Sequence, residues 1–95
     1  MPLFIRLTRL TPQAAKSIRN LEKIRGEARA IMEKNGGKMV SLYATLGRYD
    51  FIALFEAADT KTAAKISALL AETGNFESET LLAIPIDEFI ASLKG

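Results

Sequence analysis

Residues 39–55 read Met-Val-Ser-Leu-Tyr-Ala-Thr-Leu-Gly-Arg-Tyr-Asp-Phe-Ile-Ala-Leu-Phe, two apolar runs around one polar turn. Met39 to Leu46 is rich in β-favouring residues and Phe51 to Phe55 is apolar throughout, so the stretch predicts a hairpin. Gly47, Arg48, Tyr49 and Asp50 make the connection, with glycine supplying the backbone angle that such turns need. The second strand of this hairpin has no polar face. Whichever way it registers, either Phe51, Ala53 and Phe55 or Ile52 and Leu54 point away from the helices that pack on the sheet. Strands apolar on both sides are normally buried on both sides.

Upstream of the hairpin, Leu3, Ile5 and Leu7 alternate with Phe4, Arg6 and Thr8, the period of a strand. Thr11 and Pro12 then start a helix. Ala14, Ile18, Leu21, Ile24, Ala28, Ile31 and Met32 recur at helical spacing as far as Asn35-Gly36-Gly37, which predicts one long helix. Downstream, Asp59 or Thr60 caps a second helix with Ala63, Ala64, Ile66, Ala68, Leu69 and Leu70 on its buried side, and Gly74 ends it. A fourth strand over about Glu77 to Ile84 is stopped by Pro85, and Asp87 to Leu93 predicts a short closing helix.

The order is βαββαβ plus a helical tail, an α+β ferredoxin-like domain over residues 1–95. Right-handed crossovers give a four-stranded antiparallel sheet in the order 4-1-3-2, with both main helices on one face. The other face is open and apolar, with Phe4 or Leu3 and Tyr43 or Leu42 extending it. A patch of this kind marks an interface. The expected cover is a second copy of the chain in a homodimer or higher oligomer. The alternative is that the closing helix folds back over the patch through Phe89, Ile90 and Leu93.

The chain has no cysteine and no histidine. Disulfides, thiolate nucleophiles, zinc sites and histidine-dependent triads are excluded, and no metal or cofactor is expected. No apolar run reaches the length of a membrane span, so a cytoplasmic address is expected. Charge is uneven, +6 through Lys38 and −4 from Met39 onward. A basic first helix can meet an anionic partner, but Glu22, Glu27 and Glu33 interrupt it and weigh against nucleic acid.

Thr45-Leu46-Gly47-Arg48-Tyr49-Asp50-Phe51-Ile52-Ala53 resembles the signature of the GYD family of small prokaryotic proteins. The resemblance spans the chain: the entry to the first helix, Gly36-Gly37-Lys38 at its exit, Phe55-Glu56-Ala57, and Glu79-Thr80-Leu81 before Pro85. It departs at Ala58, where a proline is expected. The resemblance implies a dimeric α/β-barrel. It implies no established reaction, because the wider group holds cofactor-free monooxygenases, haem-degrading enzymes and effector-binding regulator domains. Haem binding there leans on an axial histidine, which this chain lacks.

The expected function is a small-metabolite-binding or sensing homo-oligomeric module, with a cofactor-independent oxygenase or isomerase as the alternative. The candidate ligand residues are Arg6, Tyr43, Arg48, Tyr49 and Asp50, with Gly47 as a structural turn residue. Asp50 has a second reading, as a carboxylate that accepts backbone hydrogen bonds and closes the hairpin. Glu56 reads as an ion-pair partner for Arg6 or Arg9, and Glu77 with Glu79 as a polar rim on one strand face.

Overall fold

Eight residues of alternating character, Leu3–Leu10, form the central strand β1 of the computed structural model, which describes residues 1–95. After it come α1 (Pro12–Ala15), a 3-10 turn (Ile18–Asn20) and α2 (Leu21–Lys34). The chain continues with β2 (Lys38–Ala44), β3 (Phe51–Glu56), α3 (Thr60–Glu72), β4 (Phe76–Ala83) and α4 (Ile86–Leu93). The strands form one antiparallel sheet in the order β2-β3-β1-β4, the predicted topology. No helix is long and apolar enough to cross a membrane.

The predicted long helix is broken. Thr11 caps α1, its Oγ1 accepting from the Ala14 N–H at 3.2 Å, but the helix ends after one turn. Ser17 and Asn20 leave helical backbone angles, at φ −107° and −100°. Both are residue types whose side chains compete for backbone groups and so mark natural breaks. Ile18 is consequently exposed, and α2 starts afresh with Leu21 and Ile24 turned toward the sheet.

Between the helices and one sheet face lies a small core. Phe4 of β1 stacks on Phe55 of β3 with ring centroids 5.5 Å apart, and Met32, Ala63, Ile66 and Leu70 close over them from α2 and α3. The helical spacing of Ala63, Ile66 and Leu70 produces this face of α3, whereas Ala64 and Ala68, expected on the buried side, are exposed. Asp59 caps that helix, its Oδ1 accepting from the Thr62 N–H at 2.8 Å. Hydrogen bonds from Thr62 hold the Asp59 carboxyl below its ordinary pKa. This contribution to stability is present above the ordinary carboxylate range and is lost as pH falls through the depressed value.

The register settles which side of each strand faces out. Phe4, Arg6 and Thr8 are buried beneath the helices, whereas Leu3, Ile5 and Leu7 lie on the opposite, open face. Across the register from them on that face stand Ile52 and Leu54 of β3 and Leu81 of β4. Tyr43 of β2 lies opposite Ile52. Phe4 and Leu42, the other candidates for that face, lie with the helix side through their partners Phe55 and Ala53. The closing helix leaves the open face uncovered: every residue of α4 is exposed, including Phe89, Ile90 and Leu93.

Gly37 marks the tightest approach among the glycines. A Cβ placed there would come within 2.6 Å of Met32 Cγ and 2.8 Å of Ile66 Cδ1, so both helices pack directly on the backbone entering β2. Gly37→Ala should cost about 1–3 kcal/mol by overpacking. Thermal unfolding should record a drop of roughly 4–8 °C per kcal/mol for a domain of this length; an unchanged midpoint would show that the packing yields freely.

Candidate functional site

The alternation of β1 places an arginine in the protein interior. Arg6 is 95% buried under the helices. One of its Nη atoms donates to Ser78 Oγ at 2.9 Å, and its guanidinium carbon sits 5.6 Å from the centre of the Phe76 ring, within cation–π range. Its Nε is buried without a hydrogen-bond partner. No carboxylate answers the charge, for the register sets Arg6 between Ala53 and Thr80. Glu56 stands opposite Leu3 and Lys38 instead of Arg6 or Arg9, and the ion pair of Arg9 is with Glu77 at 3.9 Å.

This arginine lines a cavity of about 190 Å³ between the sheet and α2. The sheet contributes Arg6 and Thr8 from β1, Phe51 and Ala53 from β3, and Leu42 from β2. Helix α2 contributes Leu21, Ile24, Ala28 and Met32, one apolar stripe at helical spacing. Arg25 and Arg29, exposed residues of the same helix, also reach the cavity. Arg29 is tied to Glu33 by a 2.8 Å ion pair one turn along. None of the lining residues is acidic.

Burial pulls the Arg6 guanidinium down from its ordinary pKa to about 10. It therefore remains a cation at neutral pH, held where a cation is poorly solvated. Because the unfolded chain binds that proton more tightly than the folded one, the penalty acts below about pH 10 and is relieved above it.

The other predicted site residues lie elsewhere. The β2–β3 connection runs from Thr45 to Asp50, so Leu46, expected at the end of the strand, is fully exposed in the loop. Gly47 has φ +108°, the turn conformation read from its type. Asp50 is the fastener of the loop. Its carboxylate accepts from the Leu10 N–H at 2.9 Å, its N–H donates to the Thr8 carbonyl at 2.8 Å, and its carbonyl accepts from the Thr45 N–H at 2.8 Å. Tyr49 donates its hydroxyl to Glu79 Oε1 at 2.9 Å, reaching past β1 to β4. Tyr43 is exposed on the open face and Arg48 at the loop tip.

The five candidates are thus not one cluster: Arg6 belongs to the cavity and the rest to the loop and the open face. Thr8, Arg25 and Arg29 join Arg6 at the cavity without being among the candidates from the sequence. Thr8 shares a strand face with Arg6 by its i, i+2 spacing, and Arg25 and Arg29 flank the apolar stripe of α2, which is the signal that could have found them.

A model of the GYD domain matches residues 4–93. A protein of Thermus thermophilus described as a glutamine synthetase and cystathionine beta-lyase binding protein is 39% identical over 95 residues, covering 99% of this chain and all of that one. Two solved structures share the fold. The Thermus thermophilus protein TTHA0845 superposes with TM-score 0.59 at 22% identity, over 90% of this chain and 95% of its own. FFRP-DM1 superposes with TM-score 0.61 at 19% identity, over 88% of this chain and all of its own.

Two variants check the site's physics at fixed protein concentration. Arg6→Met should raise the unfolding midpoint, because exchanging a buried charge for a well-packed apolar side chain often stabilises by about 1–4 kcal/mol; a lowered midpoint would mean the charge is already compensated. Asp50→Ala should lower it, since a charge-assisted hydrogen bond is worth about 1.5–3 kcal/mol; no change would dismiss its role as fastener.

Proposed function

The chain belongs to the GYD domain family, and from that premise we propose that it is a homo-oligomeric binding module that takes a small metabolite in the cavity beneath α2. The observation that carries this reading is the cavity itself: apolar walls around one buried, incompletely bonded cation. Binding sites are concave and mostly apolar with a few convergent polar groups, and the residues here fit that description.

The open sheet face supports the oligomer. Leu3, Ile5, Leu7, Ile52 and Leu54 form its centre, while the Arg9–Glu77 and Tyr49–Glu79 pairs lie toward one end. A central apolar patch with a polar border suits an isologous contact, in which the same surface of two copies meets about a two-fold axis. Only 13 of 95 residues are buried within one chain, so stacking two sheets would supply the second hydrophobic layer that a lone sheet lacks.

The relative's description favours a second role, contact with enzyme partners. The exposed side chains Ile86, Phe89, Ile90 and Leu93 on α4 offer an amphipathic surface for it. If that role extends to this chain, purified glutamine synthetase or cystathionine β-lyase should co-elute with it, and Phe89→Asp should abolish co-elution. Co-elution of neither enzyme would confine the role to the relative.

Sedimentation equilibrium at micromolar concentration should give at least about twice the 10.4 kDa chain mass. Leu54→Lys should reduce it to the chain mass while circular dichroism keeps the native helix content. A monomeric wild-type protein would contradict the oligomer, and a metabolite panel that leaves its melting temperature unchanged would contradict the binding role.

A further inference from the structure

We propose that the cavity takes a small monocarboxylate with an apolar body, its carboxylate paired with the guanidinium of Arg6. This rests on the metabolite-binding reading above and adds the ligand's chemistry. Arg6 is 95% buried, one edge of its guanidinium is held by Ser78, and its Nε has no partner. A guanidinium presents donors in a planar fork that matches a carboxylate bidentately. Thr8, also buried, adds a hydroxyl to the same wall.

Charge and volume narrow the class. Arg25 reaches the same cavity, as does Arg29 with its charge paired to Glu33, and nothing acidic lines it, so Arg6 and Arg25 favour an anion and oppose an ammonium group on the ligand. Free amino acids, which carry both charges, fit less well than the corresponding acids without the amino group. The volume of about 190 Å³ exceeds the ~150 Å³ apolar cavity known to hold benzene. It leaves room for a ring or a medium aliphatic chain plus a carboxylate. The apolar stripe of α2 would pack on that body, and the Phe76 ring, also in the cavity wall, lies against the arginine.

Phenylacetate, hexanoate, phenylacetamide and phenylalanine test this on the full-length protein, by calorimetric titration and thermal shift. Phenylacetate or hexanoate should bind and raise the melting temperature. Phenylacetamide and phenylalanine should bind roughly tenfold or more weakly, the expected loss for a desolvated charge-assisted pair. Arg6→Met, expected to fold at least as stably as the wild type, should erase the preference for acid over amide, and Ala28→Phe should block both by filling the cavity.

Equal binding of acid and amide to the wild type would overturn the carboxylate assignment and leave the metabolite reading standing. Undiminished acid binding by Arg6→Met would remove Arg6 as the anchor, and undiminished binding by Ala28→Phe would move the ligand elsewhere. Binding of none of the four probes would overturn the metabolite reading together with the carboxylate.

Discussion

The burial of the Arg6 guanidinium under α2 is the constraint around which the rest of the molecule is arranged. A strand at the centre of a sheet has two faces and one alternation, so choosing which face meets the helices fixes every residue. Here the helices receive Phe4, Arg6 and Thr8, and the open side receives Leu3, Ile5 and Leu7. Hydrophobicity alone favours the opposite choice. A one-residue shift would bury three aliphatic side chains and return the arginine to water.

The observed register leaves two unmet demands. One is a cation in low dielectric without a counter-charge, each unit of its pKa depression being worth about 1.4 kcal/mol. The other is an aliphatic sheet face without cover. Both can be met from outside the chain, the first by an anion in the cavity and the second by another sheet. Met in this way, the single choice on β1 would link the proposed ligand binding to the proposed assembly, with the stability forgone by the lone chain recovered on binding. Asp50 holds this arrangement from the loop side by bonding β1 at Thr8 and Leu10, which keeps the cavity's end of β1 in register with β3.

Most of the fold was legible in the sequence because its signals are local. Alternation in β1, the doubly apolar run Phe51–Phe55, the cap at Asp59 and the glycines at positions 36, 47 and 74 each specify one element, and the strand order follows from crossover handedness. What local signals could not supply was orientation. Alternation on β1 leaves open whether Phe4 or Leu3 lies on the open face, and only the pairing with β3 and β4 reveals Phe4, Arg6 and Thr8 as interior. The break at Ser17 and Asn20 was hidden because the apolar spacing runs through it. Of the cavity lining, Arg6 stands out in the sequence by type, whereas Arg25 and Arg29 look like ordinary solvated charges on a basic helix. The hairpin motif drew attention to Arg48, Tyr49 and Asp50, of which Tyr49 and Asp50 spend their polar groups on bonds within the chain.

The most direct test of the inverted strand is the exchange of the Arg6 Nε proton with water, followed by nitrogen-15 NMR on the uniformly labelled protein. Burial of the Nε atom predicts a resolved Arg6 resonance that exchanges at least about tenfold more slowly than those of the exposed Arg25 and Arg48. An Arg6 proton exchanging as fast as theirs would place the guanidinium in water and contradict the account.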